Sequence, residues 1–202
     1  MSTLAANSVG AQLMVRSFNF SSPFGEIGLV WHLSDGRPLI RRILLPQTGL
    51  TADERLQRLF PTAEPGTCTE IDDLVQRLTA FLHGEAVTLP LDRVDLQICS
   101  PFQQQVLRLE YAVPRGRITT YGLLAKLLGR SGAARAVGNA LARNPFPLIV
   151  PCHRAIRTSG HLGGYQGGLE MKRRLLIMEG IEVSPDGWVA TLRYLMETDQ
   201  DV

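Results

Sequence analysis

Hydrophobic and polar positions divide this chain into two stretches with different periods. In the first, Ile27, Leu29, Trp31 and Leu33 recur at every second position, which places them on one face of a strand. Residues 13–20, 26–33 and 39–45 all read as strands. Turn residues lie between them (Ser21-Ser22-Pro23-Phe24-Gly25 and Ser34-Asp35-Gly36), so an antiparallel meander is expected. Residues 51–60 then read as a short helix, with Thr51 and Glu54 spaced as a capping box. Residues 69–82 carry Ile71, Leu74, Val75, Leu78 and Leu82 at helical spacing. Pro61, Pro65 and Gly66 separate the two helices.

The period stays helical from Ser100 onward. Ser100-Pro101-Phe102-Gln103 predicts a capping box with proline in the first turn. Phe102, Val106, Leu107 and Leu109 form the apolar stripe of that helix. Thr119 or Thr120 caps a helix over residues 121–128, with Leu123, Leu124, Leu127 and Leu128 expected to face inward. A glycine-bearing turn leads to a helix over 133–142, a pairing that suggests a helix-turn-helix. This second helix is nearly all Ala and Gly, with Arg135 its one long cation in the first half. Such a surface suits either tight helix packing or entry into a narrow groove. Residues 169–179 form a last helix that ends at Glu179 before Gly180. An acid at a helix C-terminus is unfavourable, so Glu179 should have a specific partner, such as an imidazole.

Composition makes the chain an ordinary globular protein: 202 residues, 45% apolar and 20% charged. There is no apolar run of 18 residues and no signal-like start, so a cytoplasmic protein without a membrane segment is expected. Three cysteines, Cys68, Cys99 and Cys152, make no disulfide framework. The net charge of +2 hides an asymmetry, because residues 111–174 hold 11 basic side chains and one acid, Glu170. That block is either a solvated face or a surface for a polyanion.

The most informative stretch is Pro145-Phe146-Pro147-Leu148-Ile149-Val150-Pro151-Cys152-His153-Arg154. A stiff apolar lead-in delivers Cys152 beside an imidazole and a guanidinium. That arrangement fits an activated thiol, although a buried small hydrophobe is the bland alternative. After it, five glycines surround Tyr165 in residues 160–168, either a flexible loop or backbone that approaches a flat ligand closely.

These residues resemble one family. Arg135-Ala136-Val137-Gly138-Asn139-Ala140, Asn144-Pro145, Val150-Pro151-Cys152-His153-Arg154, Gly164-Tyr165-Gln166-Gly167-Gly168 and residues 172–180 are similar to the O6-alkylguanine-DNA alkyltransferases (methylated-DNA–protein-cysteine methyltransferases). The resemblance implies an α+β protein: a ribonuclease-H-like α/β domain over residues 1–95, a winged helix-turn-helix catalytic domain over 96–183, and an extension over 184–202. It implies that Cys152 accepts the alkyl group and that His153, acting through a water, is the base, held by Glu179. Asn144 braces the turn, Tyr121 helps rotate the nucleotide, and Arg135 fills the vacated space. Tyr165 and Gln166 wall the guanine pocket. No cofactor and no structural metal are implied, because the alkyl group is already activated on its substrate and the zinc ligands of some members are absent.

The implied partner is double-stranded DNA carrying O6-alkylguanine, with O4-alkylthymine as a second substrate. It would be met at the minor groove by a monomer that associates with the nucleoid when bound. Two other readings compete. A damage sensor without transfer would resemble the relatives that carry Trp in place of the cysteine, but Cys152 is present here. A cysteine hydrolase would need Cys152 and His153 to meet directly, and adjacent side chains in an extended run point apart.

Overall fold

A computed structural model describes residues 14–47 and 49–189. The meander forms as expected: β1 (Val15–Ser22), β2 (Gly25–Ser34) and β3 (Arg37–Leu44) pair antiparallel. The expected first strand residue, Leu13, lies outside the described residues. Asp35 and Gly36 both have positive φ, the left-handed pair that a two-residue hairpin requires. α1 (Ala52–Leu59) follows, with both halves of the Thr51/Glu54 capping box made. The short β4 (Glu64–Pro65) adds to β1 in parallel, giving the order β3-β2-β1-β4. α2 (Thr69–Leu82) covers one face.

The pattern of β2 departs from the expectation of a single buried face. Leu33 is 53% exposed, whereas Val30 and His32 are buried along with Ile27, Leu29 and Trp31. A register shift falls between Val30 and Trp31. β2 is central and covered on both sides. Ile27, Leu29 and Trp31 enter the main core, and Val30 joins Leu44 and Leu56 beneath α1.

α3 (Pro101–Tyr111) starts at Ser100, whose hydroxyl accepts from the Gln103 amide at 3.3 Å. The return half of the expected capping box is absent. The Gln103 side chain donates instead to Ala140 O (3.0 Å) and Arg143 O (3.2 Å), satisfying carbonyls at the end of a later helix. β5 (Thr119–Thr120) pairs in parallel with β6 (Ala155–Ile156). Thr120 is the cap of α4 (Tyr121–Leu127), accepting from the Leu123 amide at 3.0 Å. Leu124 faces inward as expected, but Leu127 is 49% exposed. α5 (Ala134–Ala142) buries Val137, Ala140 and Leu141 and turns Arg135, Ala136, Asn139 and Ala142 outward. α6 (Gly168–Met178) closes the fold, and Glu179 follows as its C-cap.

The main apolar cluster runs from the sheet into the second half of the chain. It takes Ile27, Trp31 and Ile43 from the sheet, Leu74 and Leu78 from α2, Leu89, Val94 and Leu96 from the connecting segment, and Val106, Leu107, Val137, Phe146 and Val150 from the second half. A backbone hydrogen bond, Ile43 N–H to Pro145 O at 2.8 Å, ties β3 to the stretch leading into Cys152. Within the extension expected over residues 184–202, Trp188 lies edge-on to His161 at 5.2 Å, and Val189 is buried. The rest of that extension, from residue 190, lies outside the described residues.

Candidate active site around Cys152

The lead-in to Cys152 is buried from Asn144 through Ile156. Its shape is fixed by the Asn144 side chain, which is fully buried. Its Oδ1 accepts from the Phe146 amide at 2.9 Å. Its Nδ2 donates to Val150 O at 3.1 Å and lies 3.2 Å from Cys152 Sγ. One amide thus holds both ends of the loop and also touches the sulfur. Leu148, between them, sits at φ 76. A non-glycine residue there costs about 1–2 kcal/mol, held in place by the surrounding packing.

Cys152 opens a single helical turn, Cys152–Arg154. Burial pushes its thiol up to about 12; the Asn144 hydrogen bond and Lys172 act in the opposite direction, and Glu110 adds to the rise. The resting sulfur is therefore a neutral thiol that needs a base at the moment of reaction. No hydrogen bond joins Cys152 to His153. The imidazole turns instead to Glu179, with Nε2 3.0 Å from Oε1. Glu179 also receives Arg154 in a two-point fork, Nε to Oε2 and Nη2 to Oε1, both 2.8 Å. Burial alone would raise the Glu179 carboxyl, but His153 and Arg154 hold it down at about 2. Burial keeps His153 below its ordinary value, against the pull of Glu179. A neutral ring beside a carboxylate carries its proton on Nε2. Nδ1, buried and without a protein partner, is then the basic nitrogen.

This geometry corrects the sequence reading of Arg154. Its guanidinium is committed to Glu179 and to Val113 O (2.5 Å), and it is not a cation aimed at the sulfur. The buried cation facing Cys152 is Lys172, which donates to Ala155 O at 2.6 Å. The acid facing it is Glu110. Both escaped the sequence reading. Spacing held the signal, because Lys172 shares a face with Leu175, Leu176 and Glu179, and Glu110 shares one with Val106 and Leu107.

In front of the sulfur lies a cleft of about 400 Å3, lined by Tyr121, Arg135, Cys152, Tyr165 and Gln166 together with small residues of α5 and of the glycine loop. Five of the eight expected site residues meet there. Asn144, His153 and Glu179 stand behind the wall. Tyr165 packs edge-on to the His153 ring at 6.3 Å. Gln166 Nε2 donates to Asn144 O at 2.6 Å. Two glycines of the loop, Gly163 and Gly167, are required by packing within the chain. A Cβ at Gly163 (φ +69) would lie 2.7 Å from the Tyr121 hydroxyl, and one at Gly167 would lie 2.3 Å from Met171 Sδ.

The basic block also resolves. Arg154 and Lys172 are buried, and Arg115 caps the carbonyls of Gly84, Glu85 and Met178. Arg117, Lys126, Arg130, Arg135, Arg143, Arg157 and Arg174 remain exposed. Among the described residues, no three His, Cys, Asp or Glu side chains gather as a metal site, and no helix is long and apolar enough to cross a membrane.

Known proteins share this fold. Residues 101–181 match the family model for the 6-O-methylguanine DNA methyltransferase, DNA binding domain. A methylated-DNA–protein-cysteine methyltransferase of Methanothermobacter thermautotrophicus is 38% identical over 161 residues, covering 80% of this chain and 83% of that protein. The crystal structure of Mycobacterium tuberculosis O6-methylguanine methyltransferase superposes with a TM-score of 0.68 at 34% identity, covering 82% of this chain and 93% of that one. The Mycobacterium tuberculosis OGT structure in complex with DNA gives 0.64 at 34% identity, over 83% and 92%. A match of that identity over most of both chains extends beyond the helical half to the sheet as well, and the chain belongs to the methylated-DNA–protein-cysteine methyltransferases.

Proposed function

We propose that the protein repairs duplex DNA by moving the alkyl group of O6-alkylguanine onto Cys152, once per molecule. The observation that carries this reading is the buried thiol at the floor of the cleft, held by Asn144 beside a His153 ring whose proton position Glu179 sets. In the reaction, His153 Nδ1 takes the thiol proton, through a bridging water. The sulfur attacks the alkyl carbon, and the C–O6 bond breaks with its electron pair leaving on guanine. Guanine is then protonated in place of the lost alkyl group. The product is a thioether, which is no leaving group, so the protein is consumed. The activated carbon comes with the substrate, and the step uses no cofactor.

The target lies inside a stacked duplex, so the nucleotide must rotate out, at a cost of a few kcal/mol. In this reading α4 and α5 act as a helix-turn-helix within a winged domain. The bare outer face of α5 enters the minor groove, and exposed cations such as Lys126, Arg143 and Arg157 meet phosphates. Tyr121 turns the nucleotide, and Tyr165 and Gln166 wall the base. Residues 96–183 carry the chemistry. Residues 1–95, a ribonuclease-H-like sheet with its helices, brace that unit, and residues 184–202 extend it. The protein acts as a monomer in the cytoplasm.

The test is intact mass after mixing with a duplex that holds one O6-methylguanine, followed by peptide mapping. The expected result is one methyl in place of hydrogen on the Cys152 peptide. An unchanged mass with the protein still bound to the duplex would overturn transfer and leave a damage sensor.

Arg135 gives a separate prediction. Its side chain is exposed at the cleft, so its removal leaves the buried site intact. Arg135→Ala is expected to slow transfer from duplex about tenfold to a hundredfold, a loss of the size needed to hold an extruded base. Transfer from the free alkylated base should change far less. Equal losses on both substrates would remove Arg135 from the flipping role.

A further inference from the structure

α3 buries a carboxylic acid that the reaction above does not use. Glu110 has no exposed surface, and neither of its oxygens has a hydrogen-bond partner among the described residues. It sits one turn beyond Val106 and Leu107, on the buried face of α3, and α3 packs against the Cys152–Arg154 turn. Unpaired buried carboxyls are rare because each is costly, so this one calls for a reason.

Other polar groups gather at the same place. Lys172 is fully buried, with Ala155 O as its hydrogen-bond partner. Thr119 pairs in register with Ala155, and its hydroxyl is also buried and unpartnered. The titratable and charged groups facing Glu110 are Lys172 from α6, Arg154 and Cys152 from the reactive turn, and Tyr121 from α4. The charge of Arg157 also acts on Lys172 and lowers it.

We propose that Glu110 is a positioning residue for alkyl transfer, a buried carboxyl that with Lys172 sets the charge facing the sulfur of Cys152. The inference rests on the transfer reading. Burial pushes Glu110 up to about 8, against Lys172 and Arg154. Burial brings Lys172 down to about 8, against Cys152 and Glu110. Near neutral pH the pair is an uncharged acid and an ammonium, and its single positive charge favours the thiolate. As pH rises through 8 both groups give up protons, and the sulfur then faces a carboxylate without its ammonium. Transfer acquires an alkaline limb, and its position belongs to the pair.

The experiment is the single-turnover transfer rate from pH 6 to 10 for the wild type and Glu110→Gln. Glutamine keeps the shape and cannot ionise, so the variant never sets a carboxylate against the sulfur, while Lys172 loses a charge that held it up. Above pH 8 the wild type is expected to slow more than the variant, so the ratio of variant to wild-type rate climbs from pH 8 to 10. A flat ratio overturns the proposal.

Glu110→Leu covers the case in which glutamine does not fold. Because folding raises the Glu110 pKa, the native state keeps a proton that the unfolded chain gives up between about pH 4.5 and 8, and stability falls across that window. Leucine removes the fall, so its gain in Tm should grow from pH 5 to 8, with the same climb in rate ratio. A leucine variant with no climb in rate ratio overturns the proposal. Iodoacetamide labelling of Cys152, read on its peptide, separates the two readings. A wild type that labels but never transfers sinks the repair function. A labelling profile that is the same with and without Glu110 sinks this inference.

Discussion

Cys152→Ala is expected to fold, to bind duplex DNA and to transfer nothing. No other thiol lines the cleft. Cys99 is buried in the core, where burial and then Asp95 push it up to about 11, and Cys68 lies before α2. The two phenols of the cleft are poorer still as nucleophiles. Burial pushes Tyr121 up to about 12, and Tyr165 well above the ordinary phenol value. The structural cost of losing the sulfur is small, about 1 kcal/mol, because Asn144 Nδ2 keeps its bond to Val150 O. The check is mass spectrometry of both protein and DNA strand, beside a melting curve. A methyl group found on the alanine variant would relocate the acceptor.

Glu179→Ala is expected to produce the largest loss of stability. The carboxylate stands between two buried partners, and its removal strands a guanidinium with Val113 O as its remaining partner. Breaking a buried pair from one side costs about 3–5 kcal/mol, a large fraction of an ordinary protein's stability. Glu179→Gln separates charge from shape. It keeps an acceptor but no longer dictates which imidazole nitrogen bears the proton, so transfer should slow while the fold survives. The pH dependence follows from the depressed carboxyl. Its contribution is present above the ordinary carboxylate range and is lost as pH falls toward about 2. The stability gap between wild type and Glu179→Gln, measured in denaturant, should therefore narrow from pH 5 to pH 3. A gap that does not change with pH would mean that Glu179 is not ionised at neutral pH.

Local chemistry in the sequence was enough for the helix starts at Thr51 and Ser100, since each is a one-turn hydrogen bond, and it narrowed the third to Thr119 or Thr120, of which Thr120 is the cap. It was enough for the Asp35-Gly36 hairpin for the same reason. The partner of Glu179 was legible from a conflict, an acid where a helix end repels one. What stayed hidden depended on distant chain. The second buried face of β2 exists because α1 folds over it. Gln103 leaves its expected cap because α5 ends within reach. The run Lys172-Arg173-Arg174 reads as one basic patch, yet the fold buries Lys172, half-buries Arg173 and sets Arg174 over Phe24 at 4.4 Å. Helical spacing contained the fate of Lys172, but consecutive charge masked it.

The core that runs from the sheet into the reactive loop also determines how the molecule comes apart. Ile43 and Trp31 share one apolar cluster with Phe146 and Val150, and β3 hydrogen-bonds the loop at Pro145. Neither half can lose its packing without uncovering the other. Heating should therefore melt sheet and site together in one cooperative transition, with equal calorimetric and van't Hoff enthalpies. The loop around Cys152 should exchange its amide hydrogens only as slowly as the whole protein unfolds.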